Sequence, residues 1–283
     1  MAGEIEITDC ENDTISNSVI GYGGSENYNL SLPDMSVDLG TVSVAEETFN
    51  INFIDGWKFA GFSFDISTVT KIEYLNGSGV LQATNSNPTM STVYLYTKQG
   101  FHIQKKTSSN AGLINNGYQE EVHQTLSVGT LFELPKNDNK VIIVKDYQGS
   151  AYLPQFNFDG IGFISRYESL QCKCSDNFTL RITAKRNHQI VVSANGDESI
   201  LYGGYIRFWP GWSMLNWPCK YSADVALALA SVVENVIIVK DYQGSVYIPE
   251  YNFNGIPDFI PGEGFQVKIK DNKTNYIFVA ENE

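Results

Sequence analysis

The sequence contains no apolar run near the roughly 18 residues that a membrane-spanning helix needs. Its start, MAGEIEITDC, has neither a basic n-region nor an apolar h-region, so no secretory signal is expected. Basic residues are scarce, 19 against 32 acidic ones in 283 residues, for a net charge of −13. A nucleic-acid-binding body needs a basic face, so no nucleic-acid partner is expected, and the absent apolar span leaves no membrane partner either. The four cysteines (Cys10, Cys172, Cys174, Cys219) are too few for a disulfide framework in so long a chain, which points to folding in a reducing cytosol or to exit without Sec-type export. The three histidines (His102, His123, His188) form no ligand-spaced pair. Also missing are a G-x-S-x-G elbow, a Walker loop, H-E-x-x-H and a dinucleotide fingerprint. Thirty-two carboxylates ensure that some pair stands at glycosidase separation, but no feature selects one. Asn137-Asp138-Asn139 and Asp271-Asn272 lack the spacing of a calcium loop. The expectation is no enzyme, with no catalytic, cofactor-binding or metal-ligating residue to nominate.

What the chain does have is 42% apolar residues, 13% of all residues being aromatic, enough to bury a core. It also has a repeat. Val141–Ile161 reads VIIVKDYQGSAYLPQFNFDGI, and Val236–Ile256, 95 residues on, reads VIIVKDYQGSVYIPEYNFNGI. Sixteen of 21 positions are identical, the differences being Ala151/Val246, Leu153/Ile248, Gln155/Glu250, Phe156/Tyr251 and Asp159/Asn254. Val-Ile-Ile-Val suits a strand buried on both faces, and Asp-Tyr-Gln-Gly has the residues of a type I turn. A return strand over Val246–Phe253 would place Tyr247, Tyr251 and Phe253 on one face. Pro249 cannot donate to a ladder, so that strand is expected at an edge or with a bulge. The turn explains Lys145-Asp146 and Lys240-Asp241 without a catalytic role.

Weaker echoes extend the unit. Gly56-Trp57 recurs at Gly211-Trp212, and Gly100–Lys106 (GFHIQKK) recurs at Gly264–Lys270 (GFQVKIK). The expected organisation is therefore a polar N-terminal segment or docking arm (1–49), a divergent β module (50–116), a second module (117–176), connecting strands (177–206) and a complete third module (207–283). In the leader, short strands are expected at Ile5–Thr8, Tyr28–Leu32 and Thr41–Val44. Residues 177–209 read as three strands, with turns at Arg186-Asn187 and Asn195-Gly196. Cys172 and Cys174 fall on Val267 and Ile269 at the 95-residue offset, so they are expected as buried, metal-free thiols. One short helix is expected near Ala223–Glu234, with Ser222 as N-cap and Val225, Leu229, Val232 and Val233 on one face. The fold class is all-β, in antiparallel sandwich- or barrel-like modules, with that one helix.

The complete module, Gly211-Trp212 … Val239-Lys240-Asp241-Tyr242-Gln243-Gly244 … Gly262-Glu263-Gly264-Phe265-Gln266-Val267-Lys268, resembles a repeat of tailed-phage virion structural proteins. These belong to marine and crAss-like gut phages, and the repeat is also associated with surface proteins of Bacteroidota. The resemblance implies a β architecture and an assembly role, with no catalytic residues to carry over. A bacterial surface protein needs an export signal, so the resemblance favours a virion subunit assembled in the host cytoplasm: head fibre or decoration, collar, or tail. Other virion proteins and copies of the chain itself are then the expected partners. A further class is a carbohydrate-binding receptor or adhesin, contacting a host surface glycan through Trp209, Trp212 and Trp217. The ordinary reading of those tryptophans is core packing.

Overall fold

The structure is a computed structural model that describes residues 43–98, 102–106, 119–164, 168–193, 196, 198–208, 211–270 and 276–280. β1 (Glu46–Phe53) buries Phe49, Ile51 and Phe53 and exposes Thr48, Asn50 and Asn52, the period of two that a half-buried strand requires. Gly56, at φ +105°, turns the chain into β2 (Gly56–Ala60). An insertion follows, comprising β3 (Lys71–Asn76), β4 (Leu81–Asn85), β5 (Met90–Lys98), β6 (His102–Lys106) and β7 (Gln119–Leu126). Ser127 caps α1 (Val128–Leu131) by accepting from Thr130 N at 2.9 Å, and α2 (Glu133–Asn137) continues from it. The repeat segment gives β8 (Val141–Lys145), β9 (Ala151–Leu153) and β10 (Phe158–Asp159); β11 (Leu170–Cys174) and β12 (Phe178–Lys185) complete the first half. Sheet β1-β12-β3-β4 and sheet β10-β9-β8-β11-β2 enclose one core, in which Phe53 stacks on Phe178 at 4.6 Å. Strands β6, β5 and β7 form a separate three-stranded sheet.

The second half repeats this plan without the insertion. β13 (His188–Val192) and β14 (Glu198–Arg207) form a hairpin, and β15 (Gly211–Asn216) follows Gly211 at φ +79°. Then come β16 (Ala223–Asp224), α3 (Val225–Ala228), a 3-10 turn (Ala230–Asn235), β17 (Val236–Lys240), β18 (Val246–Ile248), β19 (Phe253–Asn254), β20 (Asp258–Phe259), β21 (Gly264–Ile269) and β22 (Tyr276–Ala280). Sheet β15-β21-β17-β18-β19 packs with β13-β14-β22 over a second core centred on Trp217, Phe259 and Phe265.

The two halves match residue by residue. Gln171, Cys172, Lys173 and Cys174 pair with Lys145, Val144, Ile143 and Val141; Gln266, Val267, Lys268 and Ile269 pair with Lys240, Val239, Ile238 and Val236. Both ladders skip one residue, Ile142 or Ile237, at the same bulge. Ala60 stands opposite Leu170 as Leu215 stands opposite Phe265, and β1 pairs with β12 as β14 pairs with β22.

This pairing regroups the expected modules. The Gly56-Trp57 strand does not open a module closed by His102–Lys106: β2 joins β11, while β6 pairs with β5. Residues 178–185, expected as a connector, hydrogen-bond to β1 and β3 inside the first half. The strands do break at Arg186-Asn187 as expected, but β12 and β13 belong to different sheets and form no hairpin there. Of the expected Asn195-Gly196 turn, Asn195 lies outside the described residues and Gly196 has φ +86°. The expected helix is also present but short. Asp224, fixed by its pairing with Asp258, displaces Ser222 as cap, and the winding tightens to 3-10 after Leu229. Val225 and Leu229 do face the core. Its counterpart α1–α2 was not expected. The single aromatic face on Val246–Phe253 is corrected too, because Pro249 starts a 3-10 turn that interrupts the strand. Tyr247 is buried, whereas Tyr251 and Phe253 are exposed. The strands expected at Ile5–Thr8 and Tyr28–Leu32 lie outside the described residues.

The halves meet about a pseudo-twofold junction. Ala60 forms a bridge with Glu263, and Leu215 forms the equivalent bridge with Glu168. Gly61 N donates to Gly262 O at 3.1 Å, Ser169 N donates to Met214 O at 3.3 Å, and the Asn216 amide bonds both N and O of Phe62. A buried ion pair, Lys58 Nζ to Glu263 Oε1 at 3.2 Å, crosses the junction; removing one member of such a pair costs about 3–5 kcal/mol. At the far side Glu47 accepts from Arg186 and Lys220, tying β1 to the loop after β15.

Two expectations follow. A Cβ at Gly61 would lie 2.2 Å from the Glu263 carbonyl oxygen, whereas one at Gly129 meets nothing closer than 3.7 Å. Gly61→Ala should therefore cost at least about 2 kcal/mol in urea unfolding, and Gly129→Ala should be neutral or slightly stabilising; equal stabilities would contradict the junction. Burial alone would raise the Glu47 carboxyl, but hydrogen bonds from Lys220 and Arg186 outweigh it and hold the group below its ordinary value of 4.5. A lowered carboxylate contributes stability above its unfolded pKa and loses it on acidification. Tm should fall between about pH 5 and pH 3, and less steeply in Glu47→Gln; parallel profiles would contradict the ion cluster.

Candidate functional site

Each half presents one tryptophan flanked by two lysines. In β15, Trp212 stands opposite Lys268, and the Lys240 and Lys268 ammonium groups lie 5.2 and 5.8 Å from its ring centroid. In β2, Lys145 and Lys173 lie 5.5 and 5.8 Å from the ring of Trp57. Both tryptophans stay accessible, Trp57 at 37% and Trp212 at 46%. A cation over an exposed indole contributes about 0.5–1 kcal/mol, so the pairs orient the rings without burying them.

The strand ends beside these clusters are locked by the repeat turn. Asp146 Oδ1 accepts from Gln148 N and Ser150 N at 2.9 and 2.8 Å, and Asp241 Oδ1 accepts from Gln243 N and Ser245 N at 2.9 and 2.7 Å. Gly149 and Gly244, at φ +87° and +93°, complete the loops. The Lys-Asp dipeptides thus serve the turn geometry, as the sequence suggested. The adjacent tyrosine hydroxyls accept from Gln148 and Gln243 at 2.8 and 2.9 Å, which holds both rings at the loop tips.

A second repeated feature lies at the sheet edges. After each 3-10 turn, Asn157 and Asn252 adopt left-handed backbone (φ +51° and +48°), and the chain leaves as a two-residue edge strand. Phe156 and Phe158 in one half, and Tyr251 and Phe253 in the other, are exposed there. Large apolar side chains placed identically on two edges are surfaces available for contact.

The tryptophans singled out by sequence separate. Trp217 is 1% exposed, stacks on Phe259 at 5.0 Å and donates from Nε1 to Tyr221 O, so it is core. Trp212 is a surface residue, and Trp209 lies outside the described residues. Trp57 was not nominated, although its Gly-Trp context matched that of Trp212. Cys172 and Cys174 are buried free thiols, and Cys219 is buried with its Sγ donating to Val279 O at 3.4 Å. Burial pushes the Cys172 thiol well above its ordinary range and Cys174 up to about 12. Cys10 and the Asp271-Asn272 stretch lie outside the described residues. Among the described residues no three His, Cys, Asp or Glu side chains converge as a metal site, and no helix is long and apolar enough to cross a membrane.

No family model, curated protein or solved structure matches this chain.

Because Cys172 and Cys174 take the places of Val267 and Ile269, Cys172→Val and Cys174→Ile should each change stability by less than about 1.5 kcal/mol. Native-state labelling with a thiol reagent should be slow at both. Rapid labelling without denaturant, or a large loss of stability in either variant, would contradict the packing role.

Proposed function

We propose that the chain is a non-enzymatic building block of a phage particle, joined to its neighbours through protein–protein contacts. The observation that carries this reading is the duplication of the exposed aromatic edge: Phe156 and Phe158 on β10, and Tyr251 and Phe253 on β19. Two related edges on one chain allow a subunit to join two neighbours, by adding a strand or by burying the rings. The resemblance of the repeat to that of virion structural proteins supports the same reading. So does the commitment of Asp146 and Asp241 to turn amides, which leaves the Lys-Asp pairs to structure.

The edges can be tested separately from the fold. Ser at all four edge positions should leave Tm nearly unchanged, since the rings are exposed, yet prevent incorporation into particles followed by mass spectrometry of purified virions. Normal incorporation of that variant, or a wild-type chain that never enters particles, would overturn the proposal.

A further inference from the structure

The lysines around Trp57 and Trp212 differ from other basic side chains in what they touch. Lys58, Lys71, Lys140, Arg181, Arg186 and Lys220 each pair with a carboxylate. Lys145 and Lys173 lie over Trp57, and Lys240 and Lys268 lie over Trp212. Among the described residues none of these four has a carboxylate at ion-pair distance. Asp146 and Asp241 follow two of them in the chain, but their Oδ1 atoms accept from turn amides. Both tryptophans stand in the terminal strand of a five-stranded sheet and stay accessible. A chain of net charge −13 thus carries two surfaces on which a pair of ammonium groups, with no carboxylate in contact, surrounds an exposed indole.

We propose that these tryptophan–lysine sites dock the acidic stretch Glu4–Asp13 of a neighbouring copy of the chain. Residues 1–42 contain eight carboxylates and no Lys, Arg or His, and five of the eight (Glu4, Glu6, Asp9, Glu11 and Asp13) fall within ten residues. This is the charge that the two lysine pairs lack at contact. An extended chain carries Glu4 and Glu6 on one side, roughly 7 Å apart, a spacing that two ammonium groups around one indole can meet. Tryptophan is among the side chains enriched where protein contacts are strongest, and an exposed ring supplies the apolar area that ion pairs alone do not. Each exposed pair is weak, so several must act together and the contact is sensitive to salt. Every chain has two such sites and one such stretch, so copies can be joined leader to site in succession. The inference rests on the reading of the chain as an assembly subunit and names its partner, on a surface separate from the aromatic edges.

The test is sedimentation of the full chain carrying serine at the four edge positions, so that leader docking is read apart from the edges. That parent should self-associate as its concentration rises, and about tenfold more weakly when salt is raised from about 50 mM to about 500 mM. A leader variant (Glu4→Gln, Glu6→Gln, Asp9→Asn, Glu11→Gln and Asp13→Asn) brings the net charge from −13 to −8. Relief of general repulsion alone would make it associate more; docking predicts that it becomes monomeric. A site variant, with Gln at Lys145, Lys173, Lys240 and Lys268, should also be monomeric, with Tm nearly unchanged. Mixing the two variants should restore complexes, because one supplies sites and the other supplies leaders. Three results would overturn the proposal: the parent stays monomeric up to millimolar concentration, either variant associates as strongly as the parent, or the mixture stays monomeric, as it must if each leader docks on its own chain.

Discussion

The fold depends on the way strands from the two halves interleave at the junction. Ala60 has Leu170 of its own half on one side and Glu263 of the other half on the other; Leu215 has Phe265 and Glu168 in the same relation. β2 and β15, the terminal strands of the two five-stranded sheets, each bridge at the junction to a residue just before the other half's β21 or β11. This explains the close approach there. Gly61 lies against the Glu263 carbonyl, Gly264 lies against Ser169, and any side chain at either glycine would separate the strands. The buried Lys58–Glu263 pair fixes the register of that contact, since its charges are satisfied only when the bridges are aligned.

From this constraint the surface follows. Aligning β2 on β11 and β15 on β21 places Trp57 and Trp212 over equivalent lysines, and it brings each repeat turn against the other half's Gly-Trp strand. Duplication makes the positions equivalent, and the residue after each Gly-Trp differs between them, Lys58 in one half and Ser213 in the other. The aromatic edges lie at the opposite ends of the sheets and are untouched by that divergence.

The 95-residue repeat was legible because its turn, its bulge and its Asn-Gly or Asp-Gly exit are all local chemistry, carried by 21 contiguous residues. The thiol placement was legible for the same reason, since Cys172 and Val267 occupy one ladder position. The opening strand of the first half was not legible by proximity. Trp57 precedes Lys145 by 88 residues, whereas Trp212 precedes Lys240 by 28, because β3 to β7 are inserted in the first half alone. A strand pairs with whichever ladder completes its buried face, at any sequence distance, so the nearby GFHIQKK segment misled. A usable signal was present in Phe53-Ile54-Asp55-Gly56-Trp57 and Phe208-Trp209-Pro210-Gly211-Trp212: both phenylalanines are buried and both Gly-Trp pairs begin the terminal strand of a five-stranded sheet. The grouping of Lys145 and Lys173 around Trp57 could not be read at all, because it exists only where three distant strands meet.

Segment-resolved hydrogen exchange tests most directly the claim that the chain is one module duplicated, with β2 completing the sheet of residues 141–174. The account predicts that the amides of Gly56–Ala60 open together with those of β8 and β11, in the same cooperative unit, just as β15 opens with β17 and β21. If Gly56–Ala60 instead exchanges with the β3–β7 insertion, and independently of β11, then the duplication and the junction built on it are wrong.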